Sequence, residues 1–209
     1  PILLEGTTVK SLKIKLGSVD GIQADKSMFE QVVNSTKNYN VKIRVDANGG
    51  WNIADAKHMM QWLADRGVDY VEQPLKEGEE FNLEELYENR PVPIYLDETC
   101  RFSENISSFA HCVDGVNMKL MKCGGITEAL KIIKTARKYK LKTMIGCMSE
   151  SSVSIAAAAA LSGGIDHIDL DSHYNLAPDP STGAPMVDGV TLPPDIPGHG
   201  GELKKEFYA

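Results

Sequence analysis

The chain has 209 residues, 42% of them hydrophobic, and carries 22 Lys and Arg against 29 Asp and Glu, for a formal net charge of −7 and a pI near 5.3. That length supports one sizeable core rather than two comfortable domains, and the acidic balance with scattered lysines argues against a nucleic-acid partner. There is no apolar run of about 20 residues and no secretory start, so no membrane partner is expected and the cytoplasm is the expected compartment.

Taken in chain order, strand-like apolar runs recur at Leu12 to Leu16, Val41 to Asp46, Val68 to Glu72, Val92 to Asp97, Gly115 to Lys119, Leu141 to Cys147 and His167 to Asp171. Amphipathic helical segments lie between most of them, such as Ile53, Ala56, Met60 and Leu63 stopping at Gly67, or Ile126 to Tyr139. The run of alanines at 156 to 160 reads as a helix packed tightly on the sheet. Strands alternating with helices give a parallel sheet with helical crossovers, and seven such units fit a (β/α)8-type barrel better than an open sheet. One unit is then missing, and the first strand with its helix is the expected absentee. Residues 1–174 read as the barrel domain. Residues 175–209 read as a tail, rich in Pro and Gly, with a hairpin at Met186 to Leu192.

Polar residues fall at one repeated place, the C-terminal end of the strands: Lys15, Asp46, Glu72, Asp97, Lys119, and Asp169 with Asp171. Barrel enzymes build their sites at that rim. Any single Asp there is better read as a helix cap, but the whole set is not. Asp46, Glu72 and Asp97 stand 26 and 25 residues apart on three consecutive strands, so their carboxylates should converge. Three clustered anions without His or Cys select a hard ion, Mg²⁺ with Mn²⁺ as the alternative.

Lys15 and Lys119 lie four strands apart in a barrel of eight, which sets two amines facing each other across the mouth. Such amines can remove a proton from one face of a carbon and return one to the other. A carbon acid beside a carboxylate is too weak for lysine alone, so the metal must bind that carboxylate and stabilise the enediolate. Lys13 shares a strand face with Lys15 and is expected to be its electrostatic neighbour.

The set "KIK", "DAN", "EQP", "DE" and "NMKLMKCGG" resembles the enolase superfamily, in its muconate-lactonising-enzyme-like branch, and "GCMSES" followed by "DLD" looks like that branch's dipeptide epimerases, of the L-Ala-D/L-Glu type. The resemblance runs from about Leu12 to Asp171. It implies an isomerase that epimerises a dipeptide at the α-carbon of its C-terminal residue. Lys15 and Lys119 match the acid/base lysines, Lys13 the first lysine of the K-x-K, and Asp46, Glu72 and Asp97 the Mg²⁺ ligands. Asp169 and Asp171 match the pair that holds the substrate's α-ammonium, and Ser149 and Glu150 are second-tier pocket residues. The resemblance also implies an N-terminal capping domain, absent here, on which the tail would pack.

N-acylamino-acid racemase, o-succinylbenzoate synthase and muconate cycloisomerase share the lysines and ligands and stay open as alternatives. So do a Schiff-base aldolase and an inactive barrel fragment acting as a binding module. A homo-oligomer also stays open. The five histidines lack ligand spacing, His173 near the rim being the one to watch, and Lys122 reads as a solvated loop lysine. Cys100, Cys112, Cys123 and Cys147 read as reduced thiols rather than disulfides or a zinc site.

Overall fold

The computed structural model of the chain describes residues 9–193 and 195–208. The start of the expected barrel domain, residues 1–8, lies outside them. Seven strands form one sheet: β1 (Ser11–Lys15), β2 (Lys42–Asp46), β3 (Val71–Glu72), β4 (Ile94–Leu96), β5 (Gly115–Met118), β6 (Lys142–Ile145) and β7 (His167–Ile168). Every pairing is parallel and the spatial order is the chain order, β1 through β7. This curled sheet is the barrel architecture expected from the alternation. Among the described residues its two end strands are linked by side chains, the Lys13 ammonium on β1 lying 2.5 Å from the Asp169 carboxylate just beyond β7.

The crossovers are helical: α1 (Ile22–Thr36), α2 (Ile53–Ala64), α3 (Leu83–Glu88), α4 (Ser103–Phe109), the single turn α5 (Leu120–Cys123), α6 (Ile126–Lys138) and α7 (Ser152–Ala160). The Asn52 side chain caps α2 by accepting the Asp55 amide. In α6, Ala129, Ile132, Ile133 and Ala136 are buried at i, i+3, i+4 and i+7, the stripe that a helix lays on a sheet. The alanines of α7 do what the sequence suggested. Ala156, Ala158 and Ala159 are buried beside Ile155, and their small side chains let the helix lie close to the barrel.

The loops above β1 and β2 approach so closely that side chains are excluded. A Cβ on Gly17 would stand 2.1 Å from the Ala47 carbonyl oxygen, and one on Gly50 would stand 2.4 Å from the Gly17 Cα. This tight packing sets the rim of the barrel beside Lys15 and Asp46.

Beyond β7, residues 172–175 form a short 3₁₀ turn, and the following segment folds back onto the barrel. The expected hairpin is present as β9 (Met186–Val187) against β10 (Val190–Thr191), joined through Asp188 and Gly189, both with positive φ. A second pairing, β8 (Ser181–Thr182) with β11 (Glu202–Leu203), was not legible in the sequence because its halves are 20 residues apart. Asp179 ties this segment to the start of α7, accepting from the Ser152 amide at 2.9 Å and from the Ser152 hydroxyl at 2.6 Å.

Candidate active site

Parallel pairing aligns Lys15 with Asp46 and Asp46 with Glu72. Directly paired residues share a sheet face, so three consecutive strands deliver their charges to one place. Asp46, Glu72 and Asp97 are all fully buried, and one carboxylate oxygen from each lies within 4.8 Å of the others. The sheet thus brings together the acids that the sequence placed at its strand ends.

Each acid has a lysine on it. Lys15 pairs with Asp46. Lys13 lies 3.1 Å from the Glu72 carboxylate and also bridges to Asp169. Lys119, placed just past β5, lies 2.5 Å from Asp97. Lys15 therefore meets the trio from its Asp46 side and Lys119 from its Asp97 side.

Burial pushes the Glu72 carboxyl up to about 7 against the pull of Lys13, with the Asp46 and Asp97 charges adding to the rise. Burial works against charge on Lys13 as well, but Glu72, Asp169 and Asp46 together hold its ammonium above the ordinary lysine range. Lys119 is raised in the same way: burial lowers it and Asp97 overrules burial. Asp97 itself is lowered, because Lys122 and Lys119 outweigh its desolvation.

Lys122 departs from the expectation of a solvated lysine. Its side chain is 11% exposed and its ammonium binds Asp97 together with the Asn117 carbonyl at 3.1 Å. The reason is local. The strand ends at Met118, and Leu120–Cys123 turns into helix, so a three-residue step brings Lys122 back beside Lys119. The repeated lysine in "KLMK" was the available signal.

Asn117 is a second residue that sequence reading passed over. Its amide nitrogen donates to Glu72 at 2.6 Å. The neighbouring strand makes room for it, since a Cβ on Gly146 would stand 2.9 Å from both amide heavy atoms of Asn117.

The remaining expected residues separate. Asp169 is half-buried and paired with Lys13. Asp171 is exposed at the start of the 3₁₀ turn, and partial desolvation together with the Asp169 charge raises its carboxyl. Ser149 is exposed. Glu150 is buried, but its oxygens accept from the Met148 amide at 2.8 Å and from the Ser154 hydroxyl, which fastens the loop leading into α7. His173 is buried and bonded at 2.8 Å to the Ala184 carbonyl, a contact that holds the tail.

The donor set fits a hard divalent cation. Three buried carboxylates with mutually close oxygens, and no sulfur or imidazole among them, are the ligand chemistry of Mg²⁺ or Mn²⁺. All four cysteines are free.

The family model described as enolase C-terminal domain-like matches residues 3–207. A hydrophobic dipeptide epimerase from a Flavobacteria bacterium is 77% identical over 209 residues, all of this chain and 60% of that protein. The solved dipeptide epimerase from Enterococcus faecalis, in complex with Mg and the dipeptide L-Leu-L-Tyr, superposes with a TM-score of 0.84 at 34% identity over 92% of this chain and 56% of its own. The dipeptide epimerase from Cytophaga hutchinsonii, with Mg and D-Ala-L-Val, gives a TM-score of 0.87 at 25% identity over 95% of this chain and 55% of its own. The chain thus spans a little over half the length of these relatives. Its sheet order, its acid trio and these matches together place it in one family: the chain belongs to the enolase C-terminal domain-like family.

Proposed function

We propose that the protein is a Mg²⁺-dependent dipeptide epimerase, an isomerase acting at the α-carbon of the dipeptide's C-terminal residue. The observation that carries this reading is the buried trio Asp46, Glu72 and Asp97, flanked by Lys15 on one side and Lys119 on the other. In this reading the trio holds the divalent ion, with Mn²⁺ as the alternative. A bound ion would take up the negative charge that develops on the substrate carboxylate when its α-proton leaves.

The lysines do the proton work. One amine removes the α-proton from its face and the other ammonium returns a proton to the opposite face, which inverts the carbon. Lys119, which Asp97 holds charged, is placed as a donor. Lys13 fixes Glu72 and Asp169 relative to each other and supplies positive charge beside Lys15. Asp171, exposed and forming no ion pair with a lysine among the described residues, receives the substrate's α-ammonium, while Asp169 orients it from its bridge to Lys13. Ser149 and Glu150 border the pocket from the loop before α7.

Two further parts belong to the same reading. The substrate side chains are apolar, which the name of the 77% identical relative and the L-Leu-L-Tyr complex support. Residues 175–209 pack on a capping domain; supporting this, Val187, Val190, Leu192 and Leu203 stay exposed on the folded-back segment.

The test is α-hydrogen exchange in deuterated solvent with L-Leu-L-Tyr. The wild type should exchange and epimerise. Lys15→Ala and Lys119→Ala should each abolish epimerisation, by on the order of 10²- to 10⁴-fold, while each retains exchange with one epimer only. Normal epimerisation by either variant overturns the two-lysine scheme. Equal turnover of the N-acetylated dipeptide would instead favour an acylamino-acid racemase.

A further inference from the structure

The two oxygens of each buried carboxylate are divided between two kinds of partner. Asp46 takes the Asn48 backbone amide on Oδ1 at 2.9 Å, and Lys15 together with the Asn48 side-chain amide at 3.3 Å on Oδ2. Glu72 takes the Asn117 amide on Oε1 at 2.6 Å and Lys13 on Oε2 at 3.1 Å. Asp97 takes Lys122 on Oδ1 and Lys119 on Oδ2 at 2.5 Å. One oxygen of each acid is thus anchored by a neighbour in the framework, and the other meets a rim lysine. The anchors of Asp46 and Glu72 are uncharged, whereas that of Asp97 is an ammonium.

We propose that Lys122 is a positioning residue that fixes the rotamer of Asp97 and so presents the second oxygen of that carboxylate to the divalent ion and to Lys119. This inference rests on the reading of Asp97 as a metal ligand. The Lys122 ammonium has three hydrogens, and four acceptors surround them: Asp97 Oδ1, the Asp97 carbonyl at 2.5 Å, the Asn117 carbonyl at 3.1 Å and, more distantly, the Cys100 carbonyl at 3.5 Å. A fully committed ammonium at 11% exposure has no donor left for a substrate, so Lys122 acts through Asp97. The same contacts pin the end of β4 to the end of β5, the two strands that carry Asp97 and Lys119. A carboxylate held on one oxygen cannot turn away from the ion. Without Lys122 the Asp97 group keeps Lys119 as its one side-chain cation, and the pair can swing together.

The experiment measures Mn²⁺ and Mg²⁺ affinity by calorimetry for wild type, K122M, K122R, K122Q and D97N, alongside crystal structures of the metal-free wild type and K122M. Loss of a residue that orients a metal ligand typically weakens binding about ten- to a hundredfold, and that loss is expected for K122M and K122Q, with most of it regained by K122R. The metal-free K122M structure should show the Asp97 carboxylate rotated relative to wild type. Wild-type affinity in K122M, or in K122Q should K122M not fold, overturns the role of Lys122 while leaving the ligand set standing. Wild-type affinity in D97N overturns the ligand assignment itself. In that case an unmoved Asp97 rotamer in K122M overturns the positioning role as well, and a rotated one upholds it independently of metal.

Discussion

At the rim, the interior of this barrel buries Asp46, Glu72 and Asp97 against Lys13, Lys15, Lys119 and Lys122; lower on the strands it buries Tyr70, Tyr95 and Met144, with His167 half-buried beside them. The lower residues lie two positions before the upper ones, Tyr70 below Glu72, Tyr95 below Asp97 and His167 below Asp169, so strand alternation points both sets inward. Charge is compensated by charge above. Below, neutral groups pair with neutral groups: the Tyr95 hydroxyl meets the His167 ring nitrogen at 3.0 Å and the Tyr70 hydroxyl reaches the Met144 sulfur at 3.2 Å. The Tyr70 and Tyr95 rings pack against each other tilted by 34°, their centroids 4.5 Å apart. One level of the interior is thus filled mainly by rings and a thioether, and the next by paired charges. The upper layer holds four acids, Asp169 included, and the lysines paired with them, whereas just below the rings and a thioether share the interior with the Arg44 guanidinium, 5.6 Å from the Tyr70 ring; such a density of paired charge is the arrangement expected of a site that exchanges its cations.

The upper layer is most vulnerable at Lys13, which serves two acids. Lys13→Met leaves Glu72 and Asp169 without their cation, and stranding a buried charge costs about 3–5 kcal/mol. Denaturant unfolding in EDTA should show that loss, and adding Mg²⁺ should recover part of it. A variant as stable as wild type in EDTA would mean that the upper layer is not held by charge pairing.

Gly146→Ala probes the same layer sterically. Its new Cβ would collide with the Asn117 amide, so about 1–3 kcal/mol of stability and the bond to Glu72 should be lost together. A crystal structure that still shows the Asn117–Glu72 contact would remove the steric argument.

The lower layer should respond to acid instead. Burial, then the Arg44 and Lys142 charges, hold the His167 imidazole down to about 4, below the ordinary histidine value near 6.5. The folded protein thus binds fewer protons than the unfolded chain between these values. The stabilisation is complete above about pH 6.5 and is lost as pH falls toward 4. Unfolding measured across that window should fall less steeply for His167→Gln than for wild type, and an equal slope would mean that His167 titrates freely.

The smallest effects are expected at the tyrosines. Tyr95→Phe removes one neutral hydrogen bond, worth about 1 kcal/mol, while Tyr70→Phe gives up only a weak sulfur acceptor and should cost less. A larger loss for Tyr70→Phe than for Tyr95→Phe would reverse the assignment of partners in this layer.

Much of the fold was legible because period and position repeat. Each strand ends in a polar residue that its apolar run makes conspicuous, and the helix stripes between strands repeat with the helical period, so the order of elements and the acid trio could be read directly. Lys122 could not be read in the same way. Whether it faces the site depends on where β5 stops and α5 starts, a change of period within four residues. Asn117 and Gly146 form a pair only through the lateral contact of β5 and β6, which no local pattern encodes. Tyr70 and Tyr95 look like ordinary strand fillers until the sheet curls and stacks them.

By itself, then, the amino-acid sequence determined the alternation of strands and helices, the parallel sheet, and the convergence of Asp46, Glu72 and Asp97, because these follow from periodicity and from equal spacing along the chain. The tertiary structure decided which oxygen of each carboxylate meets which cation, that Lys13 compensates Asp169 across the gap between the end strands, and that Lys122 is paired with Asp97 rather than solvated. Those outcomes depend on distances between residues remote in sequence, and such distances exist only once the sheet has curled and the neighbouring loops have packed.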